Sequence, residues 1–340
     1  MRAASLTDTG GLCVGEVDEP EPGPNELLLQ VDLAGVCGTD LNALAAGIEA
    51  GTVLGHEFTG TVISRGAEVG DRIALAQRVV ALPTRSCGRC LACLTGDPIH
   101  CRSARLVGNQ SDAPGGFAER VVVGMDAVLP LPDAVPTSTA VLVEPLAVGR
   151  HIVRRSQLAA SETVLVVGAG PIGLTVTLWA RHLGARRVVV SDPVPARREM
   201  AVACGATQVL DPGRESVGRA WRSRALDVRP DLVIECTGRA EVLQQCLGVL
   251  PRHGRLTVGG MHSRPVPLDL APAYFKELDI AFSSWYDRDD FGYTVDMLAG
   301  GRIDPSGLRT EVVGLSELPA AFAAQKQPSA VAKLLVDPRG

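Results

Sequence analysis

Four of the nine cysteines stand within the sixteen residues Ser86–Cys101, SCGRCLACLTGDPIHC. Their spacing is C-x2-C-x2-C-x7-C for Cys87, Cys90, Cys93 and Cys101. It lets neighbouring thiolates converge on one point, as a tetrahedral four-sulfur zinc site requires. Gly88 and Gly96 supply the backbone freedom such a loop needs. Two other readings stay open. An iron–sulfur cluster also draws on closely spaced cysteines, although bacterial ferredoxin runs use a different spacing and carry a Pro after the last Cys. Four separately buried thiols are the plain alternative. A zinc with four protein ligands has no open position, so it would staple the loop and the chemistry would lie elsewhere.

A second set is spread over three motifs: AGVCGTDLNALAAG with Cys37, VLGHEFTG with His56, and LVEPLAVG with Glu144. Each residue alone has an ordinary explanation. Cys37 could be a buried thiol and His56 a satisfied core histidine. Glu144 precedes Pro145 and the periodic residues Leu146, Val148 and Ile152, so it could simply favour a helix N-terminus. Together they supply a thiolate, an imidazole and a carboxylate, a three-ligand set that leaves a fourth position for water or substrate. Asp40 is spaced to hydrogen-bond a ligand imidazole from behind. Thr39 offers a hydroxyl able to pass on a proton from an alcohol.

The elements that must position this chemistry begin with TVLVVGAGPIGLTVTLWA. Its uncharged length meets the threshold for a membrane span. However, Thr163–Val167 reads as a β-branched strand, Gly168-x-Gly170-x-x-Gly173 follows at once, and Leu174, Val176, Leu178 and Ala180 continue into a helix. That order is the dinucleotide-binding arrangement, in which glycines permit a tight turn and the helix N-terminus faces a pyrophosphate. The strand RRVVVSDP ends in Asp192, 19 residues after Gly173. A carboxylate there accepts the ribose hydroxyls of NAD and repels a 2′-phosphate, which favours NAD over NADP. Arg197 and Arg198 lie just beyond and could soften that repulsion, and a solvated turn residue before Pro193 is the alternative for Asp192. DLVIECTG (231–238), AEVLQQCLGVL (240–250) and GRLTVGG (254–260) extend the alternation of strand and helix into a doubly wound parallel sheet.

Composition bounds the rest. A chain of 340 residues exceeds one compact core and predicts two domains. The net charge of −5, with no basic stripe, argues against nucleic-acid or membrane partners. The opening MRAASLTDTGGLC lacks an apolar export segment, so a cytoplasmic protein is expected, where clustered cysteines more often bind metal than form disulfides. Cys13, Cys204, Cys236 and Cys246 have no metal spacing, and His100, His151, His182, His253 and His262 receive no role.

With CGTD, GHE, the four-cysteine lobe, GGFAERVVV (115–123), EPLAVGRH, VVGAGPIG and ECTG in this order, the chain resembles the zinc-containing medium-chain dehydrogenase/reductases, in the alcohol, polyol and threonine dehydrogenase branch. The resemblance is close to full length. It implies an α/β chain with a GroES-like β-rich catalytic domain over 1–148, completed by 288–340, and a Rossmann domain over 149–287, with the active-site cleft at their junction. It further implies two zincs per chain. Cys37, His56 and Glu144 would hold the catalytic zinc, with Glu57 as alternate ligand or orienting group, and Cys87, Cys90, Cys93 and Cys101 the structural one. Thr39 matches the proton relay, Asp40 the carboxylate behind the ligand histidine, and Gly168, Gly170, Gly173 and Asp192 the cofactor fingerprint. A homodimer or homotetramer is implied.

Two departures bear on the substrate and the proton path. Many relatives carry a His three residues after the relay hydroxyl, where this chain has Asn42, an amide that cannot carry a titrating proton. Only 14 residues separate Asp40 from Gly55, none of them aromatic, which points to an open pocket for a sugar- or cyclitol-like ring. Trp285 and Tyr286, in FSSWYDRDDFGY, are candidates for its rim, with buried packing as the alternative. The expected reaction is oxidation of a secondary alcohol to a ketone by hydride transfer to nicotinamide. The rivals are an NAD(P)H-dependent reductase of a ketone or activated double bond and a non-catalytic NAD-binding protein.

Overall fold

The strand Glu26–Gly35 (ELLLQVDLAG) is buried along most of its length, only Glu26, Gln30 and Asp32 reaching partial exposure. It is the centre of an antiparallel sheet. Strands Thr310–Gly314, Lys333–Asp337, Glu26–Gly35, Glu57–Arg65, Arg78–Ala81 and Val128–Pro130 follow one another across that sheet, and Arg120–Gly124 also pairs with Glu26–Gly35. Only the first two of these run parallel to each other. Register shifts at Leu28/Leu29 and Val31/Leu33 bend the central pair, as bulges do. Leu27, Leu29, Val31, Phe58, Val62, Phe117 and Phe322 form its core. The computed structural model describes residues 1–213, 216–223, 229–262, 264–327 and 329–340. The sheet belongs to a first unit, Met1–Glu144 with Asp287–Arg302 and Thr310–Gly340.

The second unit, Pro145–Tyr286 with Ile303–Arg309, holds six parallel strands. Their spatial order is Gln208–Leu210, Arg187–Ser191, Thr163–Val167, Leu232–Glu235, Arg255–Val258 and Asp279–Phe282. In chain order this is 3-2-1-4-5-6, the doubly wound order with its switch point beside Thr163–Val167. All five residues of TVLVV are buried, as expected for a strand covered on both faces. The helix Pro171–His182 begins with Pro171 in its first turn, where the missing N–H costs nothing. It buries Leu174, Val176, Trp179 and Ala180, and Thr175 and Thr177 besides. The two hydroxyls are answered by the Ile172 and Gly173 carbonyls, so the sheet-facing side is wider than the apolar pattern alone suggests. The uncharged run is thus a strand and a helix, and among the described residues no helix is long and apolar enough to cross a membrane.

Candidate functional site

Cys37 caps the short helix Gly38–Leu41, which puts Thr39 and Asp40 in its first turn. The Cys37 backbone N–H donates to Asp40 Oδ2 (2.8 Å), and Thr39 Oγ1 lies 3.7 Å from Cys37 Sγ. The other Asp40 oxygen lies 3.4 Å from His56 Nδ1, with both side chains buried. Burial pushes the His56 pKa down, but the Asp40 carboxylate and the Cys37 sulfur outweigh it and hold the imidazole well above its ordinary value. The pocket favours a cation. Glu57 follows at the start of the strand Glu57–Arg65, and ligand atoms of Cys37, His56 and Glu57 lie within 4.8 Å of one another.

Glu57 is itself held by a residue that sequence patterns did not single out. Lys333 Nζ lies 2.7 Å from Oε1 and 2.6 Å from Oε2, and donates to the Val36 carbonyl at 3.1 Å. Both side chains are 1% exposed. Gly35 has to lack a side chain here, because a Cβ would stand 2.5 Å from Glu57 Oε2. Burial lowers the Lys333 pKa, and Glu57, Cys37 and Glu144 more than compensate, leaving it raised. Glu144, buried in the first turn of the helix Val143–Arg155, thus belongs to the acidic surroundings of Lys333, while the close ligand group contains Glu57. Asn42 is exposed and donates to the Gly38 carbonyl.

The four clustered cysteines converge. Their ligand sulfurs lie within 4.8 Å of one another, with Sγ–Sγ separations of 3.5 Å (Cys90–Cys93, Cys87–Cys101) and 3.9 Å (Cys87–Cys93). These are far beyond a disulfide bond length, and all nine cysteines are free thiols. Gly88 and Gly96 adopt φ of 68° and 82°, the left-handed region that glycine enters without strain. The Cys87 backbone N–H and the Ser103 hydroxyl lower the Cys101 pKa to about 6, and the Arg89 and Cys90 N–H groups lower that of Cys87. Burial raises the pKa of Cys93 instead, so anionic sulfur is favoured at Cys87 and Cys101.

In the second unit the glycine turn connects strand Thr163–Val167 to helix Pro171–His182. Gly168 has φ of 98°, and a Cβ on Gly173 would collide with the Gly168 carbonyl oxygen. Asp192 follows the strand Arg187–Ser191 and is 3% exposed. Its Oδ2 accepts from the Ala169 N–H and its Oδ1 from the Val194 N–H, each at 2.8 Å. The carboxylate ties the glycine turn to the next loop. Arg197 lies in the helix Pro195–Ala203, and Arg198 donates to the Asp192 carbonyl (2.7 Å) and pairs with Asp211 (3.2 Å). Tyr286 is buried, and Trp285 is half-buried with φ of 62°.

The chain matches two family models: an alcohol dehydrogenase GroES-like domain over residues 23–133 and a zinc-binding dehydrogenase over 171–300. It is 31% identical to 2-dehydro-3-deoxy-L-galactonate 5-dehydrogenase of Pseudoalteromonas atlantica over 95% of this chain and 94% of that one. The chain belongs to the zinc-containing medium-chain dehydrogenase family. Two solved structures share its whole fold with TM-scores of 0.90. One is an alcohol dehydrogenase of E. coli CFT073 complexed with NADH, 27% identical, with 99% of each chain covered. The other is a zinc-binding dehydrogenase of Sinorhizobium meliloti 1021 bound to NADP, 32% identical, again with 99% of each chain covered. This family member is therefore a zinc-type, NAD(P)-linked alcohol dehydrogenase with a GroES-like and a Rossmann-like part.

The residues present fit the family's metal. Cys37, His56 and an acidic group form an electron-rich set, half-buried at Cys37 and buried at His56 and Glu57, with the Asp40 carboxylate 3.4 Å behind the imidazole, where the partner of a ligand histidine stands. Four converging thiols with lone backbone N–H donors suit a closed sulfur site. Lys333 had one faint signal in the sequence: a lysine, one of only three, inside the otherwise apolar run AVAKLLV.

Proposed function

We propose that this dehydrogenase oxidises a secondary alcohol on a polyol-, sugar- or cyclitol-like substrate to the ketone in the cytoplasm, with NAD as the hydride acceptor. The observation that carries this reading is the close group of Cys37, His56 and Glu57 backed by Asp40. A relative of nearly equal length acts at position 5 of a sugar-acid chain, which supports a hydroxylated substrate. Cys37, His56 and Glu144 hold the catalytic zinc in this proposal, because both oxygens of Glu57 are engaged by Lys333. Glu57 is then the alternate ligand. The four-cysteine lobe holds a second, closed zinc.

Zinc supplies Lewis acidity at the carbinol oxygen and the nicotinamide supplies the hydride acceptor. The residues do the rest. Thr39 takes the hydroxyl proton and passes it to solvent, since Asn42 offers no titrating group. Asp40 stands behind His56, its Oδ1 3.4 Å from Nδ1, and would orient the imidazole as a ligand. Lys333 balances the charge of Glu57 and keeps its carboxylate from crowding the sphere. The glycine turn and Asp192 orient the dinucleotide, and two backbone N–H bonds hold Asp192 in place.

The enzyme self-associates in this reading, as a homodimer or homotetramer. Support comes from the edge strand Asp279–Phe282, whose Phe282 is 67% exposed, next to Tyr274 and Phe275 at 78% and 76%. An apolar sheet edge of this kind favours pairing with a second copy.

Elemental analysis with an NAD-reduction screen over alcohols, polyols, sugar acids and cyclitols tests the proposal. Two zincs per chain and turnover of a hydroxylated secondary alcohol are expected. Zinc confined to the cysteine lobe, or preference for short linear primary alcohols, would overturn it.

A further inference from the structure

Glu235 ends the strand Leu232–Glu235 with its side chain wholly buried. A carboxylate in that position has to be answered by donors. Its Oε1 accepts from the Thr237 backbone N–H (2.5 Å), the Thr237 hydroxyl (2.5 Å) and the Gly238 N–H (3.0 Å). One oxygen thereby folds the turn that leaves the strand. The other, Oε2, faces His262 Nε2 at 3.4 Å. Neither atom makes a hydrogen bond among the described residues, and the His262 side chain is only 13% exposed. His262 stands on the loop after strand Arg255–Val258, the neighbour of Leu232–Glu235 in the sheet.

The two loops pack without slack. A Cβ on Gly238, at φ of 66°, would stand 2.5 Å from the Met261 carbonyl oxygen, and one on Gly260 would stand 2.7 Å from Glu235 Oε2. The first loop also lies on the glycine turn. The Cys236 N–H donates to the Val167 carbonyl (2.9 Å), and a Cβ on Gly168 would meet Thr237 Cγ2 at 2.8 Å. A dinucleotide lies across the carboxyl ends of a sheet in this order, its two halves on either side of the switch point. Asp192 marks the adenosine side. The loops after Glu235 and Val258 leave the carboxyl ends of strands across the switch point from Asp192, where such a dinucleotide would place its nicotinamide nucleoside.

We propose that Glu235 and His262 are a positioning pair that sets these two loops for the nicotinamide half of the cofactor. Neither has to touch the cofactor. Glu235 organises the first loop through Oε1, and the approach of His262 Nε2 to within 3.4 Å of Oε2 couples the second loop to it. The inference rests on the dinucleotide-binding reading of this unit.

The test uses the full-length enzyme with His262→Ala and His262→Gln, leaving Glu235 in place because its removal endangers the turn itself. Binding is measured with NADH (NADPH if the wild type prefers it) and with ADP, which lacks the nicotinamide nucleoside. His262→Ala is expected to weaken reduced-cofactor binding about tenfold while ADP changes by less than about twofold. His262→Gln, which keeps an N–H donor, is expected to recover most of the loss. Equal weakening of both ligands, or unchanged cofactor binding, overturns the pair. Wild-type enzyme that binds neither NADH nor NADPH overturns the dinucleotide reading instead.

Discussion

Lys333 and Glu57 form a fully buried ion pair, Nζ to Oε2 at 2.6 Å, across 276 residues of sequence. Removing one member of such a pair leaves an uncompensated charge in the interior, which costs far more than the pair contributes. Lys333→Met is therefore expected to destabilise the first unit by about 3–5 kcal/mol. Lys333→Met with Glu57→Gln should recover part of that. Urea unfolding of the zinc-loaded enzyme measures both. A single-variant loss under about 1 kcal/mol would show that the ammonium can be dispensed with.

Asp192 gives its two oxygens to the N–H groups of Ala169 and Val194, so its removal acts on both charge and loop. Asp192→Ala is expected to raise the KM for NAD about tenfold or more, with a smaller effect on NADP. The ratio of the two kcat/KM values should move toward NADP. Parallel initial-rate measurements with each cofactor check this, and an unchanged ratio would remove Asp192 from cofactor selection.

What the sequence made legible was what is local. The cysteine spacing and the strand–glycine–helix run are each fixed within about twenty residues, and in both the observed geometry follows the pattern, down to the positive φ at Gly88, Gly96 and Gly168. Contacts between distant segments left little trace. Nothing near Glu57 announces Lys333, and nothing near Asp192 shows that the Ala169 N–H approaches it. Glu57 and Glu144 both follow plausible ligand motifs, and the sequence gives no hint that Glu57, though close to Cys37 and His56, is paired with Lys333. His262 had no pattern at all. Its meaning depends on a buried Glu235 at the end of the neighbouring strand.

The cysteine lobe allows a metal-removal experiment. Cys93 Sγ is 3.5 Å from Cys90 Sγ and 3.9 Å from Cys87 Sγ. If the enzyme holds two zincs as proposed, Cys93→Ser is expected to leave one per chain and to lower the melting temperature by an amount on the order of 5 °C. Cofactor binding, which belongs to the other unit, should persist. Loss of both zincs together would show that the lobe and the catalytic set do not bind metal independently.

Glu119 offers a pH test away from any metal ligand. The Arg2 backbone N–H (3.0 Å), aided by the Arg2 guanidinium (3.4 Å), lowers its pKa from the ordinary 4.5. A depressed carboxyl stabilises the fold above the unfolded-state value and loses that contribution as pH falls through the folded one. The wild type should exceed Glu119→Gln by less than about 1 kcal/mol at pH 7, because the pair is partly exposed. The gap should narrow as pH falls below 4.5 and go on narrowing in stronger acid. Unfolding curves at pH 7 and pH 3.5 suffice, and a gap that widens in acid would contradict the assignment.

The edge strand Asp279–Phe282 tests self-association directly. Phe282 and Ile280 are 67% and 39% exposed, and a charge on such an edge is a general block to strand pairing. Phe282→Asp is expected to shift the enzyme toward the monomer in sedimentation velocity. Melting of the monomeric variant should become independent of protein concentration, while the wild type, if associated through this edge, melts higher as concentration rises. A variant with the wild-type sedimentation coefficient would place the interface elsewhere.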